Sequence, residues 1–270
     1  MSKIGSYLET LFSLEGKVII ITGAAGGIGE AFSRGLASAG GSVALCDLNA
    51  ERCVEIAAEL TQNDLCAKAY ELDVSDVVSI KTCVDAVLRD FGRIDVLVNC
   101  AGINKREGFL DVDESTYDRI MGVNLKGAFL LSQEVVRHMI PRKQGNIINI
   151  CSHNDEGMMG GCSVYGATKS GLRALTRSMA IEWAKHGIRA NALSPGHIIT
   201  PLTTVTWEHP TRSTYLLDRI AMQRPGKPEE LVGMCIMLAG DASSYMSGQA
   251  YHVDGGCLCG GNPWDFDTEY

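Results

Sequence analysis

The sequence has no long apolar run. Among its 270 residues, no uninterrupted apolar stretch approaches the roughly 18 residues that a membrane-spanning helix needs. The first segment, MSKIGSYLETLFSLEGKV, carries charges throughout and lacks the apolar core of a secretory signal peptide. We therefore expect a soluble, cytoplasmic protein that has no membrane partner.

Basic residues are in the minority. The chain has 24 Lys and Arg against 32 Asp and Glu, which gives a formal net charge of -8. An excess of negative charge repels nucleic-acid backbones and anionic lipid surfaces. This balance argues against nucleic acid as the main partner and leaves a small molecule as the expected ligand.

The ten cysteines show no pattern typical of disulfides or of a metal site. They are scattered singly in a chain without a secretion signal, so we expect reduced thiols that act mostly as small core residues. The one close pair, Cys257 and Cys259, lacks a second pair or a histidine at zinc-binding spacing. On this pattern no metal site is expected.

Short apolar runs alternate with segments of helical period, and no repeat, low-complexity tract or linker interrupts them. The strand-like runs are KVIIITG, SVALCD, AKAYELD, IDVLVNCAG, GNIINICS, IRANALSPG and GQAYHVDGG, and the helical segments cover 27–40, 50–61, 76–91, 114–140, 163–186 and 228–239. This alternation predicts an α/β, doubly wound Rossmann fold with a single parallel seven-stranded sheet flanked by helices on both faces. We expect one domain over 1–270, with its core at about 14–256, a substrate lid at 200–225 and a tail at 257–270.

A glycine-rich segment, TGAAGGIG, follows the first predicted strand. Gly23, Gly27 and Gly29 allow a tight turn that brings the backbone close to a pyrophosphate at a helix N-terminus, although a plain strand-to-helix turn has the same composition. Asp47 ends the second strand 18 residues after Gly29, close to the roughly 20 expected for a carboxylate that binds the adenosine ribose. That carboxylate repels a 2′-phosphate, and no basic residue follows it in DLNAE, so NAD is favoured over NADP.

Tyr165 and Lys169 lie four residues apart in SVYGATKSG, a run of otherwise small residues. On a helix this spacing places both side chains on one face, where an ammonium favours the phenolate form of the tyrosine. Because a Tyr-x-x-x-Lys spacing also arises by chance, the pair gains its meaning from the other motifs.

Taken together, the motifs resemble those of the short-chain dehydrogenase/reductase family from about Leu14 to Gly256. They are Gly-x-x-x-Gly-x-Gly, NCAG at 99–102, Asn124, Ser152, the Tyr165/Lys169 pair and SPG at 194–196. Two positions depart from the family pattern: Cys100 replaces the usual second asparagine, and Cys151 replaces a serine that commonly precedes Ser152. Neither replacement changes a reacting group.

The resemblance implies a role for each matched residue. Tyr165 is the general base, Ser152 orients the substrate oxygen, Lys169 bonds the nicotinamide ribose, and Asn124 holds a water that relays the proton. Each also has a structural reading: a turn residue for Ser152, a helix-bending residue for Asn124 and a surface charge for Lys169. The cofactor contacts implied are Gly23, Gly26, Gly27, Ile28, Gly29, Asp47, Leu48, Asp73, Val74, Asn99, Ala101, Gly102, Tyr165, Lys169, Pro195, Gly196, Ile198 and Thr200.

Polar residues cluster where the substrate pocket is expected, in INKREG at 103–108, in SHNDEG at 152–157 and at His197. Such a lining suits a polyhydroxylated substrate. We expect substrate contacts from Arg106, Ser152, Asn154, Tyr165 and His197. Lys105 is a second candidate for an anionic group, unless Lys105 and Arg106 form a solvated loop face; His153 and Glu156 are further candidates for hydroxyls.

Longer stretches, among them NLKGAFLLSQEVVRHMI and RPGKPEELVG, resemble the family branch that contains gluconate 5-dehydrogenases, deoxygluconate 3-dehydrogenases and polyol dehydrogenases. The resemblance implies an NAD-dependent enzyme that acts on a sugar, a polyol or a sugar acid, and a homotetramer. The acidic HNDEG departs from what an anion pocket would show. Trp264 and Phe266 in the tail are expected to pack on a neighbouring subunit, since large apolar side chains are costly to leave in water; a disordered tail is the alternative.

Two other functions fit the same motifs. One is a carbonyl or 3-oxoacyl reductase that works in the reductive direction; the polar pocket argues against the 3-oxoacyl version only. The other is a nucleotide-sensing protein that keeps the fold without catalysis, which loss of Tyr165 or Lys169 would have favoured.

Overall fold

The computed structural model describes residues 3–201 and 203–260; Trp264 and Phe266 of the tail lie outside this range. Seven parallel strands form one sheet in the order β3-β2-β1-β4-β5-β6-β7. The strands are β1 Val18–Thr22, β2 Ser42–Asp47, β3 Ala67–Glu71, β4 Val96–Asn99, β5 Gly145–Ile150, β6 Ile188–Pro195 and β7 Ala250–Val253. The predicted doubly wound Rossmann fold is confirmed.

The helices include every helical segment predicted from the sequence. They are α1 Lys3–Phe12, α2 Gly27–Ser38, α3 Ala50–Gln62, α4 Val77–Phe91, α5 Glu114–Met121, α6 Ala128–Met139, α7 Ser163–Trp183, α8 Thr204–Trp207, α9 Pro210–Leu217 and α10 Val232–Ala239. The amphipathic α1 was not predicted. In the described part of the chain, no helix combines the length and apolar character needed to cross a bilayer.

The core is divided between the two faces of the sheet, as alternation along each strand requires. On β1, Ile19 and Ile21 belong to a buried cluster with residues of α2, α3 and α10. Val18 and Ile20 belong to the opposite cluster, with residues of α4, α6 and α7. Each fully buried isoleucine contributes about 2 kcal/mol of transfer free energy, so the two clusters hold the strand ends, and the loops that follow them, in place.

The chain between α5 and α6 stays helical through one π-type turn, Gly122–Gly127. Such turns are rare and are frequently found at functional sites. Asn124 lies in this turn and is buried.

The strand order reverses between β1, whose next strand β2 lies on one side, and β4, which lies on the other. The connections that follow β1 and β4 therefore run in opposite directions across the sheet. They leave a crevice between them at the carboxyl end of the sheet. Every motif singled out from the sequence lies at this end or in the helix that follows.

Candidate active site

A cavity of about 700 Å³ opens at the carboxyl end of the sheet. Its walls are the loops after β1, β2, β3, β4, β5 and β6, the start of α7 and the segment that contains α8. Most of the predicted site residues line it, namely Gly23, Gly26, Gly27, Ile28, Gly29, Asp47, Leu48, Asp73, Val74, Ala101, Gly102, Arg106, Ser152, Asn154, Tyr165, Lys169, Pro195, Gly196, His197, Ile198 and Thr200.

Two glycines of the glycine-rich loop, Gly23 and Gly29, have no space for a side chain. A Cβ on Gly29 would lie 2.0 Å from the Gly23 carbonyl oxygen, and one on Gly23, whose φ is +69°, would lie 2.9 Å from the Ala101 Cα. α2 begins at Gly27, and no side chain caps its N-terminus. The loop therefore leaves a helix N-terminus available to an anionic group such as a pyrophosphate.

Asp47 joins the end of β2 to the glycine-rich loop. One carboxylate oxygen accepts a hydrogen bond from the Ala25 N–H at 3.0 Å, and the other accepts from the Asn49 N–H at 2.9 Å. Arg52, the nearest arginine along the chain, is bound to Glu30 and Glu55. Arg106 and Lys169 are the only arginine and lysine among the described residues of the cavity wall.

Asn99 and Asn124, by contrast, do not line the cavity. The Asn99 side chain is buried at the end of β4, where it donates hydrogen bonds to Ser132 Oγ and Asn149 Oδ1. It connects β4 to α6 and β5. Sequence reasoning expected Asn99 to line the cofactor cleft; its side chain instead braces the strand end beneath the cleft.

Asn124 fixes the loop after β4 from behind. Its Oδ1 accepts the Ile103 N–H at 2.8 Å, and its Nδ2 donates to the Ile103 carbonyl at 2.9 Å and to Thr168 Oγ1 at 3.3 Å. A Cβ on Gly102 would lie 3.5 Å from both Asn124 Oδ1 and Lys169 Nζ. Asn124, in the π-type turn, and Lys169, on α7, therefore both lie next to Gly102 in the cavity wall.

Tyr165 and Lys169 occupy one face of α7, as their spacing predicted. The Lys169 Nζ lies 5.6 Å from the centre of the Tyr165 ring and donates a 2.7 Å hydrogen bond to the Ile150 carbonyl at the end of β5. Lys169 is buried, whereas Tyr165 is partly exposed in the cavity. The ammonium is thus an internal charge held by the sheet and not a solvated surface group.

Ser152 is buried directly after β5, and its hydroxyl also has a structural partner. The Oγ atom accepts a hydrogen bond from the Asn154 N–H at 3.2 Å and caps the short turn His153–Asp155. Ser152 is therefore a turn residue, as one reading of the sequence had it, and it also lines the cavity.

The turn after Ser152 is anchored by the buried Asp155. Its carboxylate accepts a hydrogen bond from Ser194 Oγ on β6 and lies 3.0 Å from His252 Nε2 on β7 and 3.4 Å from an Arg173 nitrogen on α7. Residues of β6, β7 and α7 therefore all contact the Asp155 carboxylate. This structural role explains the acidic character of the HNDEG segment. These acidic residues hold the turn and leave the cavity without added negative charge.

The part of the cavity beside Ser152 contains two partly desolvated histidine rings. His153 and His197 have ring centres 4.4 Å apart, and Trp207 packs edge-on against His197 at 6.2 Å. Burial lowers the pKa of His153; burial, together with His153 and Arg106, lowers the pKa of His197 to about 3. Both rings are neutral at pH 7. The buried Asn154 Oδ1 has no hydrogen-bond partner among the described residues.

Two adjacent basic residues have different surroundings. The Lys105 ammonium is 2.5 Å from the Glu107 carboxylate and does not line the cavity. Arg106 does line it, and its guanidinium has no hydrogen bond or ion pair with any residue that the structure describes. Glu156, a candidate for substrate hydroxyls, lies outside the cavity wall and forms an ion pair with Arg173.

Several wall residues were not predicted individually. Thr206, Trp207 and Leu216 come from α8 and α9 within the 200–225 segment, which the sequence marked only as a lid. Asn104, Met159 and Cys162 come from the loops beside Arg106 and before α7. Their only sequence signal was position next to a recognised motif.

Comparison with known proteins places this arrangement in a family. The protein family described as Enoyl-(Acyl carrier protein) reductase matches residues 23–257. The 5-keto-D-gluconate 5-reductase of Escherichia coli (strain K12) is 38% identical over 251 residues, 93% of this chain and 99% of the relative. The 3-oxoacyl-[acyl-carrier-protein] reductase FabG of Thermotoga maritima is 40% identical over 247 residues, 91% of this chain and 99% of the relative.

Among solved structures, a gluconate 5-dehydrogenase from Burkholderia cenocepacia in complex with NADP and tartrate superposes with a TM-score of 0.90. It is 36% identical, and the match covers 93% of this chain and 99% of that one. The matches in sequence and structure extend through the cavity and its glycine-rich loop. The chain belongs to the short-chain dehydrogenase/reductase family.

Proposed function

We propose that the protein is an NAD-dependent dehydrogenase that acts on a secondary alcohol of a sugar acid. The observation that carries the proposal is the placement of Tyr165, Lys169 and Ser152 on one cavity that begins at an uncapped, glycine-rich helix N-terminus. The residues around this loop fit a dinucleotide, since a side chain on Gly29 or Gly23 would clash with backbone atoms.

In this proposal Tyr165 is the general base. Its phenolate accepts the proton of the substrate hydroxyl, and Lys169, buried and bound to the Ile150 carbonyl, supplies the positive charge that favours the phenolate. Ser152 donates a hydrogen bond to the substrate oxygen. A bound nicotinamide cofactor supplies or accepts the hydride at the carbon that bears this oxygen. Asn124 holds the loop at Ile103 and borders Lys169, where it would support a water that receives the proton.

Arg106 supports a sugar acid over an uncharged sugar. It is the one cation at the far end of the described cavity wall, and it lacks a protein partner among the described residues. A guanidinium binds a carboxylate with two parallel hydrogen bonds. Asn104, His153, Asn154 and His197 border the same region and offer donors and acceptors for hydroxyl groups. The relatives named after gluconate support the same substrate class.

Asp47 supports NAD as the cofactor. Its carboxylate lies at the end of β2 on the cavity wall, where the ribose hydroxyls of adenosine bind in this fold. A 2′-phosphate would lie against this negative charge, with Arg52 already engaged by Glu30 and Glu55. The Burkholderia cenocepacia structure contains NADP, so cofactor preference is the part of the proposal that an experiment must test directly.

A 3-oxoacyl reductase is the second candidate, because the Thermotoga maritima FabG is 40% identical. The polar side chains of Asn154 and His197 in the cavity wall and the unpaired Arg106 favour the sugar acid instead. A long acyl chain gains most from an apolar channel.

The surface formed by α6 and α7 supports the proposed homotetramer. A groove of about 340 Å³ lies between these helices and is lined by Phe129, Leu175, Met179 and Trp183 among others. Ile181 on α7 is 79% exposed. Exposed apolar patches of this kind commonly mark subunit interfaces, and light scattering measures the assembly.

All ten cysteines are free thiols, which supports the proposed cytoplasmic location.

The experiment that tests this function is an assay of a panel of substrates, in which the absorbance of NADH reports turnover. Aldonates, polyols, aldoses and a 3-oxoacyl thioester are assayed in their respective directions with NAD(H) and NADP(H). The proposal predicts the highest kcat/KM for an aldonate with NAD. A higher value for the thioester would favour the second candidate, and cofactor binding without turnover of any compound would favour a sensor.

A further inference from the structure

We infer that His153, His197 and Cys257 form a binding site for a single Zn²⁺-type cation at the wall of the substrate cavity. One ligand atom from each residue, a ring nitrogen or the sulfur, lies within 4.8 Å of the other two. His153 follows β5, His197 follows β6, and Cys257 opens the short turn Cys257–Cys259 after β7. Three neighbouring strand ends therefore each supply one ligand.

The donor set fits zinc in chemistry and in spacing. Zn²⁺ binds imidazole nitrogen at about 2.0 Å and thiolate sulfur at about 2.3 Å in a tetrahedral arrangement. These bond lengths place ligand atoms roughly 3.5 Å apart, so ligand atoms that lie within 4.8 Å of one another need to approach by at most about 1.3 Å. Two nitrogens and one sulfur suit Zn²⁺ and Co²⁺ and exclude Mg²⁺ and Ca²⁺, which require oxygen ligands.

His153 is held in an orientation suitable for metal binding. The His153 Nδ1 lies 3.4 Å from the Pro195 carbonyl oxygen, which leaves Nε2 as the free ligand atom. Metal-binding histidines commonly donate their other ring nitrogen to a carbonyl in this way. The His153 and His197 rings are tilted by 60° at a centre distance of 4.4 Å, so they do not stack face to face.

Cys257 is held by a separate network. The Asp254 carboxylate accepts hydrogen bonds from the Gly256 and Leu258 N–H groups, both at 2.9 Å, and thereby fixes the turn on each side of Cys257. Asp254 also adds a negative charge near both histidines, whereas Arg106 adds a positive one near His197. Metal binding would convert Cys257 to a thiolate. The negative charges of this thiolate and of Asp254 favour a divalent cation at the site.

With three protein ligands, a tetrahedral ion keeps one open coordination position, as catalytic zinc sites do. His153 and His197 line the cavity, so the ion would lie where substrate oxygen atoms reach it. This last step rests on the proposed function, whereas the metal site itself does not.

The test is a Co²⁺ titration of the full-length, tag-free protein after chelator treatment, without substrate or cofactor. We expect one Co²⁺ per chain with a thiolate-to-cobalt charge-transfer band, and its displacement by one equivalent of Zn²⁺. Cys257→Ser should remove the band and weaken Co²⁺ binding at least tenfold. The matched control is Cys259→Ser, two residues away and exposed, which should leave both unchanged.

The proposal is overturned if the wild-type protein shows no charge-transfer band, if Cys257→Ser keeps it, or if Cys259→Ser removes it. Binding of NADH by Cys257→Ser, compared with wild type, shows whether the variant is folded. Because no step involves turnover, a protein inactive on sugar acids can still bind the metal, and an active one can fail to bind it. Failure of this inference is therefore distinguishable from failure of the proposed function.

Discussion

The Nζ atom of Lys169 lies 5.6 Å from the centre of the Tyr165 ring and 2.7 Å from the Ile150 carbonyl oxygen. The sheet thus positions a buried ammonium beside the phenol that we propose as the base. Replacing Tyr165 by Phe removes the proton acceptor and keeps the ring. We predict a fall in kcat of about 10³-fold, the middle of the range for general acid–base groups.

NADH binding by Tyr165→Phe, followed by nicotinamide fluorescence, should persist, since the glycine-rich loop and Asp47 are untouched. Tyr117→Phe, on the exposed side of α5, is the control and should retain wild-type kcat. Turnover by Tyr165→Phe comparable to that of the control would assign the base to another residue.

Arg106 and Lys105 form a natural pair for testing substrate charge, because only Arg106 lines the cavity. Arg106→Gln should raise KM for an aldonate about tenfold, the equivalent of 1.4 kcal/mol, through loss of a charge-assisted hydrogen bond. KM for a polyol should stay unchanged. Lys105→Gln, which breaks the ion pair with Glu107 and the hydrogen bond to Thr116, both away from the cavity wall, should alter neither constant. Equal effects of Arg106→Gln on both substrates would argue against a bound carboxylate.

Cofactor preference should depend on the charge at the end of β2. In the double variant Asp47→Ser with Leu48→Arg, the carboxylate is removed and a guanidinium is added at a position that is 67% exposed. We predict that the ratio of kcat/KM for NAD over NADP falls by at least about 100-fold, the equivalent of roughly 2.7 kcal/mol. Measurement of both cofactors with one substrate checks this. An unchanged ratio would mean that Asp47 does not contact the ribose.

Gly29 has no space for a side chain, because its Cβ would lie 2.0 Å from the Gly23 carbonyl oxygen. Gly29→Ala must therefore displace the loop, and we predict at least tenfold weaker NADH binding together with a lower Tm. Gly233→Ala is the matched control: it is in α10, and a Cβ at this position would have no described atom within 4 Å beyond its own helix backbone and chain neighbours. Its Tm should be equal or slightly higher, since alanine favours helix. Equal behaviour of the two variants would contradict the packing described for the loop.

Asp95, at the opposite end of the sheet, should control stability against acid. It is buried and accepts hydrogen bonds from Val18 N–H, Arg93 and Arg142. Burial raises its pKa, but the hydrogen bonds from these three residues and the charge of Arg142 outweigh this effect, so the pKa is lowered. The charged form therefore stabilises the fold above the unfolded-state pKa of about 4, and this contribution is lost as pH falls through the lower folded-state value.

Asp95→Asn should accordingly lower the free energy of unfolding by about 2 kcal/mol at pH 7, with a difference from wild type that shrinks below about pH 4. Urea unfolding at several pH values measures this. Asp241→Asn breaks the exposed ion pair with Lys17 and should cost no more than about 0.5 kcal/mol. A pH-independent difference for Asp95→Asn would show that packing, and not charge, is responsible.

The sequence pattern within single helices and strands was sufficient to predict the parts of the site that depend on local geometry. The Tyr165/Lys169 face follows from helix period, and the positions of Gly29 and Asp47 follow from strand ends that meet at one edge of the sheet. The seven-stranded sheet was predictable for the same reason, since alternating short apolar runs and helical segments have few arrangements.

Tertiary contacts decided the rest. Sequence alone did not show that Arg106 lines the cavity while Lys105 pairs with Glu107, or that Glu156 binds Arg173. Cys257 had no partner at metal spacing in the sequence, because His153 and His197 reach it only through the neighbouring order of β5, β6 and β7. Asn99 belongs to a conspicuous motif, yet its amide is used inside the sheet.

The most direct test of the proposed function is kcat/KM for gluconate oxidation with NAD, measured beside the reduction of a 3-oxoacyl thioester with NADH by the same preparation. We predict that gluconate or a close aldonate is the better substrate and that Tyr165→Phe lowers kcat for both reactions about 10³-fold. A higher kcat/KM for the thioester, or no NADH formation with any aldonate, would contradict the assignment of a sugar acid to this cavity.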